Sequence, residues 1–323
     1  MEALLEMRHL SREFGVRRGM FDPRRASVKA VNDVSLSLAP GETLGLVGES
    51  GCGKSTLARM AVGLLPPSSG EIRLSGRPLE NWTPLERAAR IQMVFQDPFS
   101  SLDPRQTVGA SIAEPLMLAA RASGAPLSRG ELHGRVCAVL EQVGLQAEHE
   151  SRYPHEFSGG QRQRVAVARA LIAGPGILVC DEPVSALDAS VQAQVLNLLK
   201  DMQESRGLSY LFISHDLGVI GFMSDRVAVM YLGRVVELAP CAALFGHAFH
   251  PYTEALLAAA PSRDPARRGQ HRPLMGEMPS PLAPPLGCAF HPRCPHARPI
   301  CREQEPALAP MAEGRFVRCH FPL

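Results

Sequence analysis

A short apolar run, Leu44 to Val47, opens directly into Gly48-Glu49-Ser50-Gly51-Cys52-Gly53-Lys54-Ser55-Thr56. The spacing G-x-x-x-x-G-K-S demands a strand, a turn tight enough to need glycine, and a helix beginning near the lysine. In that arrangement successive backbone N–H groups point into one concavity faced by the positive end of the helix, which suits the phosphates of a nucleotide. The apolar run Leu57 to Leu65 is expected to continue as that helix. Lys54 is placed to reach the outer phosphate oxygens as a mobile charge, and the Ser55 hydroxyl to complete a Mg²⁺ shell. Alone, the loop implies nucleotide binding and nothing about its purpose.

The totals narrow the class. With 323 residues and 45% hydrophobic content the chain can bury one large core or two modest ones. A net charge of +2 makes no whole-chain case for a nucleic-acid partner, although only three of the 34 basic residues are lysine and local arginine clusters are possible. No apolar run approaches the roughly 18 residues of a membrane span, and the start, M-E-A-L-L-E-M-R-H-L, sets charges where a signal peptide needs its apolar centre. The expectation is a chain neither secreted nor membrane-spanning. Of eight cysteines, Cys52, Cys137, Cys180 and Cys241 are scattered, while four crowd the last 36 residues. In a reducing compartment such a terminal group reads as metal binding before disulfides.

Residues 1 to about 96 read as short strands, such as Leu4 to Leu10 and the alternating Val34-Ser-Leu36-Ser-Leu38, with a basic turn-like insert from Arg17 to Ser27. From about 97 to 165 the period becomes helical, as in Leu132, Val136, Val139, Leu140 and Val143 before Gly144, which suggests an inserted helical subdomain. Ile177 to Cys180 and Leu208 to Ile213 then read as buried strands flanking an amphipathic helix with Val191, Val195, Leu198, Leu199 and Met202 inward, hence a parallel sheet. Val227 to Tyr231 and Arg234 to Leu238 suggest a hairpin turning at Leu232-Gly233. Thirteen of the 28 prolines lie from Pro261 onward, so something other than a large core is expected to order that tail.

Two further motifs bear on chemistry. Ile177-Leu-Val-Cys180 ends in Asp181-Glu182, placing Asp181 to support Mg²⁺ and Glu182 to polarise an attacking water. Ser158-Gly159-Gly160-Gln161-Arg-Gln-Arg places a serine cap and two glycines at a helix start, exposing amide donors as a second phosphate-binding surface. One chain thus carries two.

S-G-G-Q-R-Q-R before D-E-P, with V-F-Q-D-P earlier and I-S-H-D later, resembles the ATPase subunits of ATP-binding-cassette (ABC) transporters over residues 1 to about 235. Phe157 stands where leucine is commoner. The resemblance implies an α/β P-loop NTPase (RecA-like) core with an N-terminal antiparallel β subdomain and an inserted helical signature subdomain. It also implies head-to-tail pairing, each ATP lying between the phosphate loop of one cassette and the S-G-G-Q of the other. By motif, Gln96 would contact Mg²⁺ or the attacking water, Asp188 would couple the two sites, and His215 would hold the γ-phosphate side. Phe14 is the candidate for stacking on adenine, with a core phenylalanine as the alternative.

After Leu238 come His250-Pro-Tyr-Thr253, Gly276-Glu-Met-Pro-Ser-Pro281 and then the cysteines, which resembles the C-terminal extension of oligopeptide and dipeptide importer ATPases. The implied division is residues 1–238 for the cassette, with its helical subdomain at about 97–165, and 239–323 for the extension. Cys288, Cys294, Cys301 and Cys319 have the donor chemistry for Zn²⁺ or an iron–sulfur cluster, with four free thiols as the third reading. The family resemblance favours a [4Fe–4S] cluster, for which a structural role is expected; His291, His296 and His320 read as solvated loop residues, with substitution as ligands the alternative. It further implies ATP hydrolysis driving peptide import at the cytoplasmic face of the inner membrane. The implied partners are a second, different ATPase, two permease subunits and, indirectly, an extracytoplasmic binding protein, with no nucleic acid. Nickel or glutathione import and a soluble non-transport ATPase remain alternatives.

Overall fold

The computed structural model describes residues 3–17, 25–97, 101–122, 124–260, 276–311 and 314–323. The first strands are β1 (Leu5–Arg17), β2 (Arg25–Leu38) and β3 (Thr43–Val47), followed by helix α1 (Lys54–Ala61). Next come β4 (Ser69–Leu74), β5 (Arg77–Pro78), α2 (Pro84–Ala88) and β6 (Ile91–Val94). A helical stretch holds α3 (Val108–Ala122), α4 (Arg129–Gln142) and α5 (Gly159–Leu171). Then follow β7 (Ile177–Asp181), α6 (Ala189–Arg206), β8 (Ser209–Ile213), α7 (Leu217–Met223), β9 (Arg226–Tyr231) and β10 (Arg234–Pro240). The last elements are α8 (Cys241–Gly246), α9 (Pro251–Ala259), α10 (Pro299–Glu303), β11 (Ala309–Pro310) and β12 (Phe316–Val317).

The chain divides into two compact units. One contains Leu38–Glu42 and Leu74–Ile213. Here β6, β7 and β8 run parallel, with Val179 opposite Met93 on one side and Leu211 on the other. Every residue of β7 and β8 is buried, as an unbroken apolar strand inside a parallel sheet requires. Helix α6 starts on the Asp188 cap and stops at Gly207, whose φ of 65° suits only the cap position. It buries Val195, Leu196, Leu199 and Met202; of the expected set Val191 and Leu198 are only half-buried, and Leu196 turns inward instead. Helix α4 begins with a Ser128/Glu131 capping box and ends before Gly144, at φ 72°.

The other unit contains Leu5–Ser37, Thr43–Arg73 and Ser214–Leu323. One sheet has the order β2-β1-β4. In β2, Val34, Leu36 and Leu38 are buried while Ser35 is exposed, the period-two pattern of a strand with one wet face. β1 and β2 run longer than expected; of the basic segment between them, residues 18–24 lie outside the described ones. The second sheet has the order β11-β12-β10-β9-β3, with β3 parallel to β9 and the remaining pairs antiparallel. The hairpin turns at Leu232 and Gly233, both with positive φ. Helix α1 ends at Ala61, short of Leu65, because Gly63 takes φ 73° and the amides of Leu64 and Leu65 fold back to the Arg59 carbonyl.

The tail orders itself further than its proline content suggests. β12 adds to β10, pairing Val317 with Glu237. Phe290 is 2% exposed and packs against Tyr231, Tyr252 and His250, with ring centroids 5.3 to 5.8 Å apart. Arg315 and Glu237 form a buried ion pair at 3.0 Å, and the Glu237 carboxylate also accepts from the amides of Phe249 and His250. This aromatic core and paired carboxylate were not legible in the proline count.

Candidate functional site: a phosphate loop, a carboxylate pair and a capped signature helix

The glycines of the phosphate loop are required by contact as well as by conformation. Gly48 has φ 155° and a Cβ there would collide with the Met230 carbonyl; Gly53 has φ 109° and a Cβ would collide with that of Ala30. The loop therefore lies flush on the hairpin end and on β2, and no larger residue fits. Lys54 is 5% exposed, and its ammonium donates to the carbonyls of Gly48 at 2.7 Å and Glu49 at 3.0 Å. The lysine thus folds back across the loop and holds it wound. Ser55 and Thr56 follow on the first turn of α1. Burial raises the Cys52 thiol above its ordinary pKa although Lys54 opposes the shift, and its carbonyl accepts from Gly233. Ser50 and Gly51 complete the exposed rim of the loop.

Glu49 is anchored by residues from the far end of the chain. Its amide donates to the Tyr252 hydroxyl at 3.0 Å, and its carboxylate takes two bonds from Arg293, at 2.8 and 3.2 Å. Nothing in the loop's own spacing points to either partner. In the same unit His215 is exposed, just before Asp216, whose carboxylate caps α7 through the amides of Gly218 and Val219. Phe14 is 38% exposed with the Arg12 guanidinium 4.9 Å above its ring, so it is a surface aromatic and the core alternative falls.

In the first unit β7 delivers Asp181, 4% exposed, to its C-terminal end. Glu182 follows at φ 49°, a left-handed conformation that a non-glycine residue adopts only when its surroundings enforce it. Its amide donates to Ile213 and its carbonyl accepts from the Ser185 hydroxyl, which fixes the turn. The Gln96 side-chain amide reaches the Glu182 carboxylate at 3.2 Å, joining two residues 86 positions apart.

Ser158 caps α5 as expected. Its hydroxyl accepts from the Gln161 amide at 3.3 Å while the Gln161 side chain accepts from the Ser158 amide at 3.0 Å. Gly159 and Gly160 occupy the first turn, and Gly160 has no room for a Cβ, which would overlap Val191 Cγ1. Asp188 performs the same service for α6, accepting from Ser190 and Val191 at 2.7 and 3.0 Å; the Val191 amide first, then the Ser190 hydroxyl, hold its carboxyl below the usual range.

The four terminal cysteines line one pocket with Phe290, Phe321 and Pro251, and His250, His291, His296 and His320 border it. His250 is buried beside the thiols, His291 and His320 are half-buried, and His296 is exposed. Burial chiefly, and then the neighbouring thiols, raise the pKa of Cys288, Cys294 and Cys319. The Cys319 sulfur accepts from the Phe321 amide at 3.4 Å. Elsewhere, His133 and Glu150 form an exposed pair at 2.9 Å with Cys137 Sγ 3.8 Å from that carboxylate, a donor group that sequence reading passed over.

Residues 31–185 match the family described as ABC transporter, and residues 236–301 match the oligopeptide/dipeptide transporter C-terminal region. The chain is 51% identical to the Sinorhizobium fredii protein named Probable peptide ABC transporter ATP-binding protein y4tS, over 99% of this chain and 90% of that one. It is 48% identical to the oligopeptide transport ATP-binding protein AppF of Bacillus subtilis, over 99% and 98% respectively. Among solved structures it is similar to the dimeric, post-hydrolysis ATP-binding cassette MJ0796 bound to ADP and Pi. The TM-score is 0.65 at 26% identity, covering 73% of this chain and 98% of that one.

Proposed function

Because this chain belongs to the ABC transporter ATP-binding proteins, we propose that it hydrolyses ATP to drive import of oligopeptides or dipeptides through a membrane permease. The observation that carries the reading is the presence, in one chain, of an ATP cassette and the oligopeptide/dipeptide C-terminal region. Among the described residues no helix is long and apolar enough to cross a membrane, so the pore is assigned to separate permease subunits. The chain then acts peripherally, at the cytoplasmic face. Residues 1–238 form the cassette and 239–323 the extension.

Hydrolysis of this kind needs positioning and charge stabilisation more than covalent work by the protein. Lys54 and the loop amides from Gly48 to Thr56 would cradle the phosphates, Ser55, Gln96 and Asp181 would serve Mg²⁺, and Glu182 would orient water. His215 would face the γ-phosphate and Phe14 the adenine. The capped start of α5, Ser158 to Gln161, would close over the ATP of a second cassette, with Asp188 beside that junction. The dimeric state of the similar MJ0796 cassette supports such pairing. We assign the second cassette to a different ATPase subunit.

The four-cysteine pocket fits a [4Fe–4S] cluster. Four thiols line it beside Phe290, Phe321 and Pro251, with four histidines at its border, and Cys319 receives an amide hydrogen bond of the kind that steadies a thiolate. When bound, the cluster would cross-link the loops carrying its cysteines. Anaerobic purification with iron, sulfide and zinc analysis tests this; stoichiometric zinc without iron overturns it.

The test of function is uptake of labelled dipeptide and oligopeptide in cells carrying Glu182→Gln at the chromosomal locus. Loss of uptake is expected. Peptide uptake equal to the parent's overturns the peptide reading, and a simultaneous loss of nickel or glutathione uptake moves the cargo there.

A further inference from the structure

The phosphate loop is held from outside itself, at the one position where it carries a negative charge. Glu49 is the second residue of the loop, so its charge is carried by the same short segment whose amides are expected to meet the phosphates. An unpaired carboxylate there would oppose an incoming polyphosphate. Arg293 meets both carboxylate oxygens, at 2.8 and 3.2 Å, and its side chain is only 4% exposed. A planar guanidinium in a two-pronged bond fixes direction as well as charge, which lysine cannot do equally.

The partners of that pair form a continuous path through the extension and the end of β9. Arg293 lies 5.9 Å above the Tyr231 ring, and Tyr231 packs on Tyr252 with centroids 4.6 Å apart. Tyr252 in turn accepts from the Glu49 amide at 3.0 Å, and burial keeps its phenol protonated far above neutral pH. Gly51 and Gly276 come close to the same cluster, a Cβ on each falling 3.7 Å from Met278 Cε and 3.6 Å from Arg293 Cγ. One loop residue is therefore gripped at its amide by one segment of the extension and at its carboxylate by another.

We propose that Arg293 is a positioning residue of the nucleotide site: it neutralises Glu49 and holds it off the phosphates, so that the C-terminal extension sets the ATP affinity of the cassette. The inference rests on the nucleotide reading above and is independent of which metal the adjacent Cys294 holds.

The experiment measures binding of a fluorescent ATP analogue to the purified full chain, with thermal melting and metal content recorded for every variant. Arg293→Gln is expected to weaken binding about tenfold. Glu49→Gln sets the reference, and the double variant Arg293→Gln/Glu49→Gln is expected to bind as Glu49→Gln does, because removing the carboxylate removes the need for its partner. Arg293→Lys, which keeps the charge and loses the fork, is expected between parent and Arg293→Gln, and it carries the test if Arg293→Gln fails to fold.

Arg293→Gln binding like the parent overturns the proposal. So does a double variant as weak as Arg293→Gln, which would mean packing rather than charge, or an affinity that follows metal content across the variants. A parent chain that binds no ATP analogue sinks the nucleotide reading and this proposal together; a parent that binds, with Arg293→Gln unchanged, sinks the proposal alone.

Discussion

The side-chain amide of Gln96 donates to the Glu182 carboxylate across 3.2 Å, so a residue two positions past β6 steadies the residue just past β7. Glu182 itself sits at φ 49°, and strain of this sort is retained where a side chain must point in one direction. Replacing Glu182 by glutamine keeps the shape and removes the base. ATP turnover is expected to fall about 10²- to 10⁴-fold with nucleotide binding intact, and Gln96→Ala to cost about tenfold to a hundredfold through a misdirected carboxylate. Steady-state turnover beside equilibrium binding checks both; normal turnover in Glu182→Gln would remove it from the catalytic role.

Gly160 abuts Val191 where α5 meets the start of α6. A methyl at 160 must displace a β-branched side chain with few alternative rotamers. Gly160→Ala is expected to destabilise by about 1–3 kcal/mol, and Val191→Ala in the same chain to recover part of it. Urea denaturation of the two singles and the double measures the coupling, and strict additivity would show that the close approach carries no stability.

Glu237 and Arg315 are a buried pair in the extension, at 0% and 6% side-chain exposure. Removing one partner leaves a charge without compensation. Glu237→Ala is therefore expected to cost about 3–5 kcal/mol, the range for a broken buried pair. It also orphans the amides of Phe249 and His250, so protease susceptibility near those residues should rise. Unaltered melting and proteolysis would contradict this.

Asp188 supplies the acid dependence of α6. Its folded-state pKa is lowered by the Val191 amide and then the Ser190 hydroxyl, so its contribution is complete above the unfolded pKa and is lost as pH falls through the folded one. Asn caps as well as Asp but does not titrate. Between pH 6 and pH 3 the melting temperature of Asp188→Asn is expected to fall less than that of the parent. Parallel curves would show that the cap does not titrate with folding.

Much of the cassette was legible because its rules are local. The strand before Gly48, the serine cap at Ser158, the apolar run before Asp181 and the turn at Leu232-Gly233 each depend on residues within a few positions, and each appears where the periodicity puts it. The end of α1 was misjudged because apolarity continues to Leu65 while backbone conformation breaks at Gly63. The length of β1 and β2 was misjudged because their further stretches, 11–17 and 25–33, mix polar and apolar residues without an unbroken period-two pattern.

The chemistry of the chain, a phosphate loop, two carboxylates after a buried strand and four clustered thiols, was determined by residue types at fixed short spacings. Tertiary structure alone decided which distant groups hold those residues: Gln96 on Glu182, Tyr252 and Arg293 on Glu49, Arg315 on Glu237. The reason is physical. Backbone conformation is set over three or four residues, but the partner of a buried charge or amide is whatever the folded chain brings within about 3 Å, and that depends on every packed element between them.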